Sequence, residues 1–117
     1  MKNRGTAVTF YRRTDGALVG FSARGHSGYA QSGSDIVCAA VSALTQSTLN
    51  GLRSVLKAPV MFEIDERSAR LEAQLTPEAT PEQVAQAQLL LRTLLEGLQA
   101  IERSYPRNVR IFFEERR

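Results

Sequence analysis

Apolar residues recur along this chain at two spacings, and the spacing switches four times. Thr6 to Arg12 alternates, with Val8 and Phe10 on one face and Thr9 and Tyr11 on the other, which predicts a strand. Asp15-Gly16 is a strong hairpin signal, and Ala17 to Arg24 returns with Val19, Phe21 and Ala23 on one face. After a loop, Ser34 or Asp35 offers a helix N-cap. Ile36 to Leu44 is then apolar almost all round, so the first half of this helix is expected to be buried. Leu49, Leu52, Val55 and Leu56 carry the stripe on until Pro59 stops it. Val60 to Ile64 and Arg70 to Leu75 alternate again around a turn at Glu66-Arg67-Ser68, a second hairpin. Thr80-Pro81-Glu82-Gln83 forms a capping box. The helix it opens sets Val84, Ala87, Leu91, Leu94, Leu95, Leu98 and Ile101 at three-to-four spacing and ends by Pro106. Val109 to Phe113 is a last strand. The order is ββαββαβ. It predicts an α+β fold, a two-layer sandwich with two helices of about 22 residues on one face of a mainly antiparallel sheet of about five strands. Residues 1–117 are read as a single domain.

Composition narrows the chemistry. With 43% apolar residues the chain has material for a core without metal or disulfide. Cys38 is the one cysteine and His26 the one histidine, which excludes an internal disulfide and leaves no cluster for a transition metal. No metal or cofactor is expected. Lys2, Arg4, Arg12, Arg13 and Arg24 stand against Asp15 alone in the first 24 residues. Such a basic patch can steer an anionic or RNA-bound partner, or be a solvated strand face. No apolar run follows the N-terminus, and Ile36 to Leu44 is far short of the roughly 20 residues that cross a bilayer. The expectation is a cytoplasmic protein without membrane contact and with a reduced thiol.

Cys38 and His26 lie at opposite ends of a glycine- and serine-rich loop, Gly25-His26-Ser27-Gly28-Tyr29-Ala30-Gln31-Ser32-Gly33-Ser34. If Asp35 is the N-cap, Cys38 falls in the first helical turn, where the helix dipole and free N–H groups favour a thiolate. A lone Cys among Ile, Val and Ala is equally a small buried apolar residue. A strand end presenting His26 to a helix start presenting Cys38 permits a Cys–His dyad. The helix-start N–H groups, that of Cys38 included, are then candidate oxyanion donors. Ser42 follows Cys38 by one turn on the same face, and Asp35 is either a cap or an orienting group for His26. The loop lacks the spacing and the lysine of a P-loop.

As a whole, Gly25-His26-Ser27-Gly28-Tyr29-Ala30 followed by Gly33-Ser34-Asp35-Ile36-Val37-Cys38-Ala39-Ala40-Val41-Ser42 resembles the ribosomal-processing cysteine protease family, Prp. Ser27 stands where that family usually has Ala. The resemblance implies a cysteine endopeptidase, often homodimeric. Its substrate would be the N-terminal extension of a large-subunit ribosomal protein, the one numbered twenty-seven, cut after two aromatic residues. Carried over, Cys38 is the nucleophile and His26 the base, with Asp35 and Ser42 as support. Ser27, Gly28, Tyr29, Gly33 and Ser34 belong to a mobile substrate loop. Direct nucleic-acid binding is not expected. The competing reading is a non-enzymatic, ribosome-associated domain that binds protein or RNA through the first hairpin. Phe112-Phe113 adds an expectation of self-association, because neighbours on a strand point to opposite faces and only one can meet the helices.

Overall fold

Alternation at period two gives strands wherever the sequence shows it, and the two helical stripes give the covering layer. The computed structural model describes residues 5–25 and 34–116, the side chains of Ser34 and Asp35 excepted. Its elements are β1 (Thr6–Arg12), β2 (Leu18–Arg24), α1 (Ser34–Asn50), β3 (Val60–Asp65), β4 (Arg70–Leu75), α2 (Pro81–Ser104) and β5 (Val109–Glu115). The order ββαββαβ stands as expected.

The strands form one five-stranded sheet in the order β3-β4-β2-β1-β5. Three of the four pairings are antiparallel, and β5 lies parallel to β1. At the β1–β2 turn the Asp15 carboxylate accepts from the Ala17 N–H at 3.0 Å. Gly20 in the central strand is a matter of close approach. A Cβ there would lie 2.4 Å from the Ala73 carbonyl oxygen of β4.

Register sorts the residues into two faces. Phe10 pairs with Phe21 and Phe21 with Ala73, while Val8 pairs with Ala23 and Ala23 with Leu71. These residues are buried and meet Val37, Val41, Leu49 and Leu52 of the first helical segment and Ala87, Leu91, Leu94 and Leu98 of α2 in one core. Both helices therefore cover the same face of the sheet. On the other face Tyr11, opposite Gly20, crosses β2 and donates to Glu72 at 2.9 Å. The Arg116 guanidinium stacks 3.8 Å over the Tyr11 ring and donates to Gln74 at 3.0 Å. Polar side chains thus close a face that neither α1 nor α2 covers.

The helices end and begin for local reasons. Thr80 accepts from the Gln83 N–H at 3.1 Å and Gln83 returns the bond to the Thr80 N–H at 2.9 Å, so the predicted capping box is present. Beyond Asn50 the first helix continues as a π-helical turn, Gly51–Val55. The wider turn sets Leu56, rather than Val55, against the core, and Val55 is left 76% exposed. The chain closes at Lys57 in the left-handed region (φ 53°), and the Ala58 N–H reaches the Leu52 carbonyl at 2.9 Å.

One expectation is corrected. The first half of α1 is not buried all round: Val37 and Val41 are, but Ile36 is 70% exposed and Ala39 and Ala43 are exposed as well. A helix packed on one side only needs one apolar stripe, and small Ala residues tolerate water on the rest. Among the described residues no helix is long and apolar enough to cross a membrane.

Candidate active site

The uncovered side of α1 does not face open solvent everywhere. Between it and the ends of four strands lies a cleft of about 420 Å³. Its floor and walls come from Thr6 at the start of β1, Ala23 to Gly25 at the end of β2, Ile64 to Glu66 leaving β3, and Ala69 to Leu71 entering β4. Cys38, Ala39, Ser42 and Gln46 line it from the helix. The antiparallel register explains the convergence: the first residues of β1 and β4 and the last of β2 and β3 fall at one end of the sheet. Small residues on α1 keep the space open, while Val41 and Leu71 reach it from the core.

Cys38 is half-buried and carries a free thiol. Its sulfur lies 3.8 Å from the Thr6 hydroxyl oxygen. That hydroxyl also donates to the Gly25 carbonyl at 3.1 Å. Gly25 has φ +87°, a conformation glycine adopts without strain, and its N–H donates to the Ala69 carbonyl at 3.2 Å. Gly25, the residue before 26, is therefore held by the body of the fold through both its N–H and its carbonyl.

The cleft carries charge of both signs at its rim, from Arg24, Asp65, Glu66 and Arg70. Arg70 is engaged: it pairs with Glu63 at 3.2 Å and closely with Glu72, and these carboxylates hold its guanidinium more firmly protonated. The Asp65 carboxylate accepts from the Arg67 N–H at 3.0 Å and shapes the β3–β4 turn. Among the described residues no cluster of three or more His, Cys, Asp or Glu could hold a metal ion.

The residues singled out in the sequence separate into two groups. Cys38 and Ser42 line one cleft, a turn apart on α1. His26 and the substrate-loop positions Ser27, Gly28, Tyr29 and Gly33 lie outside the described residues, as do the side chains of Ser34 and Asp35. The helix begins at Ser34, not after Asp35, so Cys38 is its fifth residue. Thr6 was not visible as a site residue: in sequence it is one β-branched residue in a strand, and only the sheet order brings it beside residue 38.

Residues 6–110 match the family model described as cysteine protease Prp. The chain belongs to that family. It is therefore an enzyme of the cysteine-peptidase class. The ribosomal processing cysteine protease Prp of Bacillus subtilis (strain 168) is 29% identical over 104 residues, covering 89% of this chain and 93% of the relative. Prp of Staphylococcus aureus (strain Mu50) is 29% identical over 90 residues, covering 77% and 81%. Among solved structures, the Streptococcus mutans protein SMU.848 superposes with a TM-score of 0.82 at 28% identity and 97% coverage of both chains. Prp from S. aureus, solved with a substrate peptide, gives a TM-score of 0.80 at 24% identity, with 93% of this chain and 99% of that one covered. Membership of the Prp family removes the non-enzymatic reading and accounts for the five-stranded fold.

Proposed function

We propose that this chain is a single-domain endopeptidase that removes the N-terminal extension of the large-subunit ribosomal protein numbered twenty-seven, cleaving after an aromatic pair. The observation that carries the proposal is the half-buried Cys38 thiol in the wall of a cleft of about 420 Å³. The names of the curated relatives, ribosomal processing proteases, and the substrate peptide bound to S. aureus Prp support the substrate class. The apolar lining by Ala23, Val41, Ile64 and Leu71 suits aromatic side chains.

In this reading His26 takes the Cys38 proton and the thiolate attacks the scissile carbonyl carbon. The tetrahedral oxyanion is met by N–H groups at the start of α1, that of Cys38 included. Collapse breaks the C–N bond, and the imidazolium returns its proton to the leaving amine. Water, deprotonated by His26, then attacks the thioester and releases the acid and the thiol. Ser42, one turn beyond the sulfur, and Asp35, in the first turn, are the supporting groups, and residues 27–34 form the substrate loop. The compartment proposed is the cytoplasm, where the thiol stays reduced. The assembly proposed is a homodimer.

The test is incubation with a peptide carrying the extension, read by mass. The parent is expected to cut once, after the aromatic pair. Cys38→Ser, a small change in size, is expected to stay folded and leave the peptide intact. Undiminished turnover by that variant would end the assignment.

A further inference from the structure

We infer that Thr6 is a positioning residue for the Cys38 thiol, a step that rests on the reading of Cys38 as nucleophile. Thr6 opens a strand, a place where a hydroxyl ordinarily meets water, yet it is only 5% exposed. Its side chain is on the helix side of the sheet with Val8 and Phe10, in the floor of the cleft. Among the described residues its hydroxyl has two polar neighbours, the Gly25 carbonyl at 3.1 Å and the Cys38 sulfur at 3.8 Å.

A hydroxyl has one proton to donate and lone pairs to accept with. While sulfur is protonated, the carbonyl is the better acceptor, so the Thr6 proton goes to Gly25 and a lone pair remains for the S–H. The sulfur is thereby aimed across the cleft floor instead of rotating freely. Once the sulfur proton has left, charged sulfur competes for the same O–H, and bonds to charged groups are the stronger kind. Rotation about the Cβ–Oγ1 bond alone transfers the donor; no backbone has to move. The frame is fixed for this purpose: the Thr6 N–H donates to the Asn108 carbonyl at 2.7 Å and the Gly25 N–H to Ala69 at 3.2 Å. Val at this position would fill the same volume and suit a strand as well, but it would offer sulfur neither donor nor acceptor.

The experiment compares the parent with Thr6→Val and Thr6→Ser in the full chain. Alkylation of Cys38 by iodoacetamide at neutral pH is followed by mass, and turnover of the extension peptide is measured alongside. Thr6→Val is expected to slow alkylation and lower kcat by about tenfold, the scale of one hydrogen bond to a charged group, with KM within about twofold of the parent. Thr6→Ser, which keeps the hydroxyl, is expected to restore both rates. Parent-like alkylation and kcat in Thr6→Val overturn the inference, and so does a loss that Thr6→Ser fails to restore. Should Thr6→Val not fold, Thr6→Ala is judged against Thr6→Ser by the same rates. Peptidase activity that survives complete alkylation of Cys38 sinks the nucleophile assignment instead, and the alkylation rates still decide the contact with Thr6.

Discussion

In the proposed mechanism Cys38 is the nucleophile and His26 the base. The thiol is carried on α1, and Gly25, the residue before 26, is held by Thr6 and Ala69. If His26 is the proton carrier, His26→Ala should leave peptide binding nearly intact and lower turnover by about 10²-fold or more, the usual scale of a lost general base. Titration calorimetry with the extension peptide on an uncleavable Cys38→Ser background separates binding from turnover. A second residue-level prediction concerns Tyr11. Burial pushes its phenol up, and the Glu72 carboxylate beside it adds to the rise. The native state then holds that proton more tightly than the unfolded chain, so the contribution of Tyr11 to stability is constant below about pH 10 and is lost as pH rises through the native value. Urea midpoints should decline above pH 10 in the parent and less steeply in Tyr11→Phe. The variant should lose about 1 kcal/mol at neutral pH with its bond to Glu72. Cys38 was singled out by the motif of neighbouring residues around it, and the structure puts it in the wall of a cleft, while His26 lies outside the described residues. Thr6, 32 residues before Cys38, was not singled out, because its meaning comes from a strand pairing and not from its neighbours.

Strands and helices were legible nearly to the residue, since each carries its own periodicity and its own stop. The capping box at Thr80 and Gln83, and the prolines at 59 and 106, are local signals that the structure obeys. The exposure of α1 was not legible: a run of Ile, Val, Cys and Ala has no polar face to say which side is covered, and the covered side is chosen by α2 and the sheet. The π-helical turn at Gly51–Val55 was hidden for a related reason, because one wide turn shifts a stripe by a single residue. Gly20 is the element whose replacement should cost most for its size. A methyl group there meets the β4 backbone, which cannot move aside without opening the central ladder. Gly20→Ala is expected to destabilise by about 2 kcal/mol or more, on the scale of overpacked cores. Chemical denaturation of both chains would show it, and equal midpoints would contradict the close approach.

At the scale of the whole molecule, the sheet has two edges and neither is fully covered. Phe112 and Phe113 on β5 are 47% and 41% exposed. Phe113 lies on the Phe10 side, 6.0 Å between ring centroids, with Arg12 over its ring, and Phe112 takes the opposite face. The expectation that these neighbours divide between the two faces holds, and the apolar surface it leaves is the basis for the proposed dimer. Light scattering over a dilution series should give the mass of two chains, and Phe112→Glu should give the mass of one. A single-chain mass for the parent at every concentration would remove the dimer.

The same face assignment bears on kinetics. The cleft opens on the helix side of the sheet, at the end where β1 begins, whereas Phe112 points to the reverse side, opposite Thr9. A copy docked over Phe112 would supply no wall to its neighbour's cleft around Cys38. Two such sites would work as separate catalysts on a shared support: saturation would be hyperbolic, and the rate per chain would stay constant on dilution through the point where pairs come apart.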